Sequence, residues 1–182
     1  INNGEIHIVE PDLDVLVKSA VNSGNLKASL TPVEADVFVI AVPTPFTDNR
    51  QPDLSYVEAA TRVISPLIKP GNLIILESTS PVGTTQHIAS LLSDAGHDVE
   101  NDIYIAHCPE RVLPGRILIE LVQNDRIIGG INPASTQKAI DFYLEFVSGE
   151  VLGTNAATAE LSKLTENSFR DVNIAFANEL SM

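Results

Sequence analysis

Apolar residues along this chain follow two alternating patterns. The first is the short run with no polar interruption: Val37-Phe38-Val39-Ile40-Ala41-Val42, Leu73-Ile74-Ile75-Leu76, Ile103-Tyr104-Ile105-Ala106 and Arg126-Ile127-Ile128-Gly129. A run apolar on both alternations predicts a strand covered on both faces, as in a parallel sheet. The second pattern recurs at helical spacing. Leu54, Val57, Ala60, Ile64 and Leu67 form one such set, with Ser55 and Glu58 predicting a capping box and Pro66 and Pro70-Gly71 predicting the stop. Ser80-Pro81 is expected to open the next helix, whose buried face is Ile88, Leu91, Leu92 and Ala95 before Gly96. Asn132-Pro133 opens another, carrying Ala139, Ile140, Tyr143 and Phe146. Pro11 to Gly24 reads as one more helix. A long one runs from about Thr158 to the end, and its Leu161, Leu164, Phe169, Val172, Ile174, Phe176 and Leu180 predict a largely buried element. Strand and helix in strict alternation predict an α/β fold with a parallel, doubly wound sheet.

Composition narrows the class. At 182 residues and 44% hydrophobic, the chain can bury one sizeable core or one domain plus an appendage. Its net charge of −13 disfavours nucleic acid and anionic membrane as partners, while an anionic small substrate stays open if a few cations gather in one site. One cysteine, Cys108, permits neither an internal disulfide nor a thiol-rich metal site, which fits a reducing, cytoplasmic setting. No histidine spacing indicates a metal. Ile1 at the start and an unbroken helical pattern at Met182 predict that both ends are cut.

Open parallel sheets bind ligands beyond the carboxyl ends of their strands. Three loops occupy those ends: Pro43-Thr44-Pro45, Glu77 to Thr85, and His107 to Gly115. The hydroxyls of Thr44 and Thr79 suit a phosphate, ribose or carboxamide, and a helix beginning near Pro81 would offer N–H donors to an anion. Glu110 and Arg111, held between Pro109 and Pro114-Gly115, could be a solvated ion pair. The alternative is a general base beside a guanidinium that forks onto a carboxylate, phosphate or sugar oxygen.

The terminal helix adds a polar stripe. Lys163, Asn167 and Arg170 stand at i, i+4 and i+7, on one face, which suggests an anion or oxyanion site. A solvated face with Glu166 and Arg170 as an ordinary i, i+4 pair is the plainer alternative. Cys108 follows His107 on a strand, so the two point to opposite faces and make a poor nucleophile and base. A buried, inert thiol is expected there.

Taken together, several stretches resemble the UDP-glucose/GDP-mannose dehydrogenase family. They are Glu5 to Leu13, Ala41 to Pro45, Glu77 to Gly83, Cys108 to Gly115, Asn124 to Gly130 and, longest, Lys163 to Leu180. The resemblance implies a Rossmann-like NAD-binding domain over 1–153, the start of a long central dimerisation helix over 154–182, and an absent carboxy-terminal UDP-sugar domain. It implies two-step, NAD-dependent oxidation of a sugar-nucleotide C6 alcohol to a carboxylate, through a thioester on a cysteine. It also assigns residues. Val42, Pro43, Thr44 and Thr79 would contact the cofactor, and Arg111, Val112, Lys163, Asn167 and Arg170 the UDP-sugar. Lys163, Glu110 and Asn167 would be catalytic. A homodimer or higher homo-oligomer is implied, with no metal.

Departures from the family pattern matter too. Many members carry a second acid where this chain has Pro114, and the Glu110-Arg-Val-Leu-Pro114 variant points to the N-acetylmannosamine branch rather than to glucose. No Gly-x-Gly-x-x-Gly occurs, nor the family's Gly-Gly-His-Cys, so the chain is expected to be inactive by itself and prone to associate. Activity on another UDP-hexose or N-acetylhexosamine, or a noncatalytic dimerising module, are the alternative expectations.

Overall fold

The computed structural model describes all of residues 1–182. Five strands, β1 Val37–Ile40, β2 Leu73–Leu76, β3 Tyr104–His107, β4 Arg126–Gly130 and β5 Val151–Asn155, form one sheet in the order β1-β2-β3-β4-β5. Six helices accompany them: α1 Leu13–Asn22, α2 Ser55–Ile64, α3 Thr84–Asp94, α4 Ile117–Gln123, α5 Pro133–Leu144 and α6 Ala156–Ser181.

The doubly apolar strands have the expected cause. On β2, Ile74 and Leu76 pack with Val57, Ile64, Ile88 and Leu92 of α2 and α3, whereas Leu73 and Ile75 pack with Ala139 and Tyr143 of α5. Each fully buried aliphatic side chain contributes about 1.5–3 kcal/mol, so β2 is the spine of both cores.

The sheet is not wholly parallel, contrary to the expectation from strict alternation. β1, β2 and β3 run parallel, but β4 meets β3 antiparallel, through Ala106 with Gly130 and His107 with Gly129 only. Between β3 and β4 lie a loop and the seven-residue α4, which do not carry the chain back across the sheet as a parallel crossover requires. β4 therefore starts beyond the carboxyl end of β3 and runs the other way, and β5 follows it parallel across α5. Because β5 holds only two apolar residues in succession, Val151 and Leu152, and is largely exposed, apolar runs could not reveal it.

Glycines make that junction possible. A Cβ on Gly129 would lie 2.1 Å from the Asn155 carbonyl oxygen, and one on Gly130 would lie 2.4 Å from the Thr136 nitrogen. The Gly129-Gly130 pair lets β4 press against the β5–α6 corner and the first turn of α5.

Helix starts differ from expectation in two places. Ser55 is already inside α2, its N–H taken by Asp53 Oδ1 at 2.9 Å, while the Glu58 carboxylate turns to Arg62 at 2.9 Å and His87 at 3.0 Å. The capping box is therefore absent. Ser80-Pro81 does not open α3 either, since Ser80 donates to the Ser78 carbonyl and the helix begins after Gly83, at φ 100°. Asn132 and Asn155 do cap α5 and α6, accepting the N–H groups of Ser135 and Thr158.

α6 is not largely buried. Only Ala156, Ala159 and Glu160 are, while Leu161, Phe169, Val172, Ile174, Phe176 and Leu180 are exposed. Its first turns lie against β3, β4 and β5, and nothing in the chain covers the rest.

Candidate functional site

The loops beyond β1 and β2 are stitched together. The Thr44 hydroxyl donates to the Thr79 carbonyl at 2.6 Å, and the Ser78 hydroxyl donates to the Val42 carbonyl at 2.6 Å. Val42, Thr44 and Thr79 are half-buried and Pro43 is exposed, so the four residues proposed from sequence to meet a cofactor form one patch at the sheet edge.

The start of α3 is not an open anion site. Its Gly83 and Thr85 N–H groups donate to the two Glu160 carboxylate oxygens at 2.6 and 2.7 Å, and the Thr85 hydroxyl donates to the same carboxylate at 2.6 Å. Glu160 is 1% exposed, so its charge needs donors, and the helix N-terminus supplies them. The expected phosphate donors are thus consumed by α6. From the sequence, Glu160 reads as one more polar residue of a helix start.

The loop after β3 is shaped by internal contacts. Glu110 and Arg111 are not an ion pair. The Glu110 carboxylate accepts the Val112 N–H, turning back on its own loop. Asn124 donates to the Arg111 carbonyl at 2.8 Å, and the Arg111 guanidinium reaches α6 to meet Glu166 at 3.2 Å. The far end is fixed by Glu10, buried, which accepts the Gly115 and Ile117 N–H groups at 2.8 and 2.7 Å. Glu10 lies in one of the recognised stretches, but nothing in its spacing announced this role.

On α6, Lys163 keeps 11% of its side chain exposed and lies 3.7 Å from Glu166. Glu166 thus faces Arg111 and Lys163 rather than forming the i, i+4 pair with Arg170. Burial pushes its carboxyl up, but the Arg111 hydrogen bond and the charges of Arg111, Lys163 and Arg170 outweigh this and hold it below the usual range. Arg111, Val112, Lys163, Glu166, Phe169 and Arg170 line one cavity of about 510 Å³. Asn167 is not on that wall. Its amide oxygen accepts from Arg170 at 2.8 Å and so orients that guanidinium.

Beneath the loops lies a buried charge that sequence reasoning passed over. Arg126 opens β4, is 1% exposed and donates to the Leu121 carbonyl at 3.0 Å. Its guanidinium carbon lies 5.5 Å from the Tyr143 ring centroid, and two of its nitrogens have no partner. A charged residue at the head of an apolar strand was the available signal. Burial raises the Glu77 carboxyl, the Arg126 charge opposes that rise and the Glu110 charge adds to it. Burial also pushes the Cys108 thiol up to about 11. It drives the His107 imidazole down to about 4, opposed only by a Leu76 backbone contact that falls short of a hydrogen bond.

Residues 1–147 match the NAD binding domain of the UDP-glucose/GDP-mannose dehydrogenase family, and residues 157–182 match its central domain. The chain belongs to this family. An NDP-N-acetyl-D-galactosaminuronic acid dehydrogenase from Ralstonia nicotianae is 60% identical over 190 residues, covering 100% of this chain and 45% of that protein. A UDP-N-acetyl-D-mannosamine dehydrogenase from Escherichia coli K12 is 56% identical with the same two coverages. Among solved structures, a UDP-D-ManNAc dehydrogenase from Pyrococcus horikoshii superposes with a TM-score of 0.93 at 47% identity, over 98% of this chain and 44% of that one. This UDP-glucose/GDP-mannose dehydrogenase family chain thus spans a little under half the length of the relatives it matches. Its fold and family agree with the resemblance read from the motifs.

Proposed function

We propose that the chain forms the cofactor-side wall and the helix of an NAD-dependent 6-dehydrogenase. The enzyme would oxidise the C6 alcohol of UDP-N-acetyl-D-mannosamine to the carboxylate of UDP-N-acetyl-D-mannosaminuronate, a building block for bacterial surface polysaccharide. The observation that carries this reading is the convergence of Arg111 with Lys163 and Arg170 on one cavity beyond β3.

NAD, when bound, supplies the hydride acceptor for both oxidations. Val42, Pro43, Thr44 and Thr79 would hold it, and they fit in part. The Thr44–Thr79 bond fixes two loops and leaves the Thr79 hydroxyl for a ribose or carboxamide, whereas Glu160 closes the α3 N-terminus to the pyrophosphate. Lys163 would stabilise an oxyanion developing at C6, because a partly desolvated ammonium gains strength against a forming negative charge. Glu110 would handle protons at the intermediate, and Arg111, Val112 and Arg170 would bind the nucleotide sugar. Asn167 would serve beside Lys163 and through its hold on Arg170. The thioester cysteine would come from outside this chain, since Cys108 is buried with a raised pKa, and the chain alone would be inactive.

The exposed stripe Phe169, Val172, Phe176 and Leu180 on α6 would be the homodimer contact. No helix is long and apolar enough to cross a membrane. A single, buried cysteine fits a reducing compartment, and the reaction would take place in the cytoplasm.

A second reading has its own support. The relative at 60% identity is named for N-acetylgalactosaminuronic acid, so UDP-N-acetylgalactosamine, which differs from the first substrate at both C2 and C4, is the competing substrate. The test is a panel of UDP-sugars given with NAD to the full-length protein, with NADH absorbance followed. NADH formed fastest on UDP-N-acetylmannosamine supports the first reading. Preference for UDP-N-acetylgalactosamine supports the second, and no NADH with any UDP-sugar contradicts both.

A further inference from the structure

We propose that Glu166 is a specificity-determining residue that sets the site against the carboxylate product and in favour of the neutral alcohol substrate. The inference rests on the proposed reaction, which adds one negative charge to the ligand at C6.

One Glu166 oxygen lies 3.2 Å from the Arg111 guanidinium and the other 3.7 Å from the Lys163 ammonium. A single carboxylate therefore spans the two cations that meet on the cavity wall. Glu166 is ionised at neutral pH, since the neighbouring cations hold its carboxyl below the usual range. Glu120 and Asp125 line the same cavity and add negative charge to it, while Glu166 alone is paired with Arg111 and Lys163. A ligand carboxylate that approaches Lys163 must either displace Glu166 or lie beside it, and each alternative costs binding energy. A neutral CH2OH meets no such opposition and can accept a hydrogen bond from the ammonium. The charged phosphates are common to substrate and product, so their interactions cancel when the two affinities are compared. In turnover, this asymmetry favours release of the uronate once it forms.

Glu166→Gln is the informative variant, because it keeps the shape and an oxygen for Arg111 but removes the charge. Calorimetry would compare the full-length protein and its E166Q variant with UDP-N-acetylmannosamine and with UDP-N-acetylmannosaminuronate. Glu166 is partly solvated, so a modest electrostatic effect is expected. The uronate should bind roughly tenfold tighter to E166Q, while the neutral sugar changes less than about threefold. An unchanged ratio of the two affinities, even if both fall together, would overturn the inference and leave Glu166 only as a brace for Arg111. If neither ligand binds either protein, the assignment of this cavity to the nucleotide sugar fails, and the inference fails with it.

Discussion

The Glu160 carboxylate accepts both the backbone N–H and the hydroxyl of Thr85, at 2.7 and 2.6 Å, across a sequence separation of 75 residues. Its other oxygen takes the Gly83 N–H. This clamp binds α6 to the loop that follows β2, so Lys163, three residues beyond Glu160, is held in register with Thr79 and Thr44. The proposed sugar and cofactor patches are thereby parts of one rigid arrangement.

Replacing Glu160 by alanine leaves the buried Thr85 N–H and hydroxyl, and the Gly83 N–H, without their acceptor. The expected loss is about 3 kcal/mol of unfolding free energy, measured by urea denaturation. A loss no larger than that of the exposed control Glu179→Ala would show that the clamp does not hold the fold.

Gly129→Ala places a methyl group against the Asn155 carbonyl, where the backbone already fills the space. A loss of about 3 kcal/mol or more is expected, because neither β4 nor the α6 corner can retreat cheaply. Near-wild-type stability of G129A would mean that this corner is looser than the close approach implies.

His107 gives the protein a pH dependence of definite sign. Its folded value of about 4 lies below the ordinary 6.5, so the unfolded chain takes up the proton first as the pH falls. The stability it confers is complete above pH 6.5 and is lost as the pH drops toward 4, by on the order of 3 kcal/mol. Urea midpoints at several pH values should therefore decline less steeply for His107→Gln than for the wild type. Parallel curves would show that His107 does not titrate in this way.

Cys108 should resist thiol reagents in the folded state. With its thiol pushed up to about 11, labelling near neutral pH should be at least roughly a hundredfold slower than in denaturant. Fast native labelling would place the thiol at the surface and reopen its candidacy as a nucleophile.

Much of this was legible in the amino-acid pattern, for identifiable reasons. Ile74 and Ile75 belong to a run that is apolar on both alternations, and they do face two different cores. Asn132-Pro133 carries its own capping chemistry, and α5 starts there. The direction of β4 was hidden, because it depends on the path of the connection over 108–125, which does not carry the chain back across the sheet. The Glu160 clamp was hidden too, since local spacing cannot reveal a bond to a residue 75 positions away. The apolar residues of α6 predicted burial, and in the structure most of them are exposed, because no surface within this chain covers them. The stripe of Lys163, Asn167 and Arg170 was legible because helical spacing is local, while the link of Lys163 to Arg111 through Glu166 needed the fold.

The central claim is that Arg111 from the loop and Lys163 from the helix form one nucleotide-sugar site. Isothermal calorimetry of the full-length protein with UDP-N-acetylmannosamine, with and without NAD, tests it most directly. The account predicts binding that weakens at least roughly tenfold in both Arg111→Ala and Lys163→Ala, because each removes a charge-assisted contact. Binding that both variants retain at wild-type strength would contradict it and move the sugar nucleotide elsewhere on the protein.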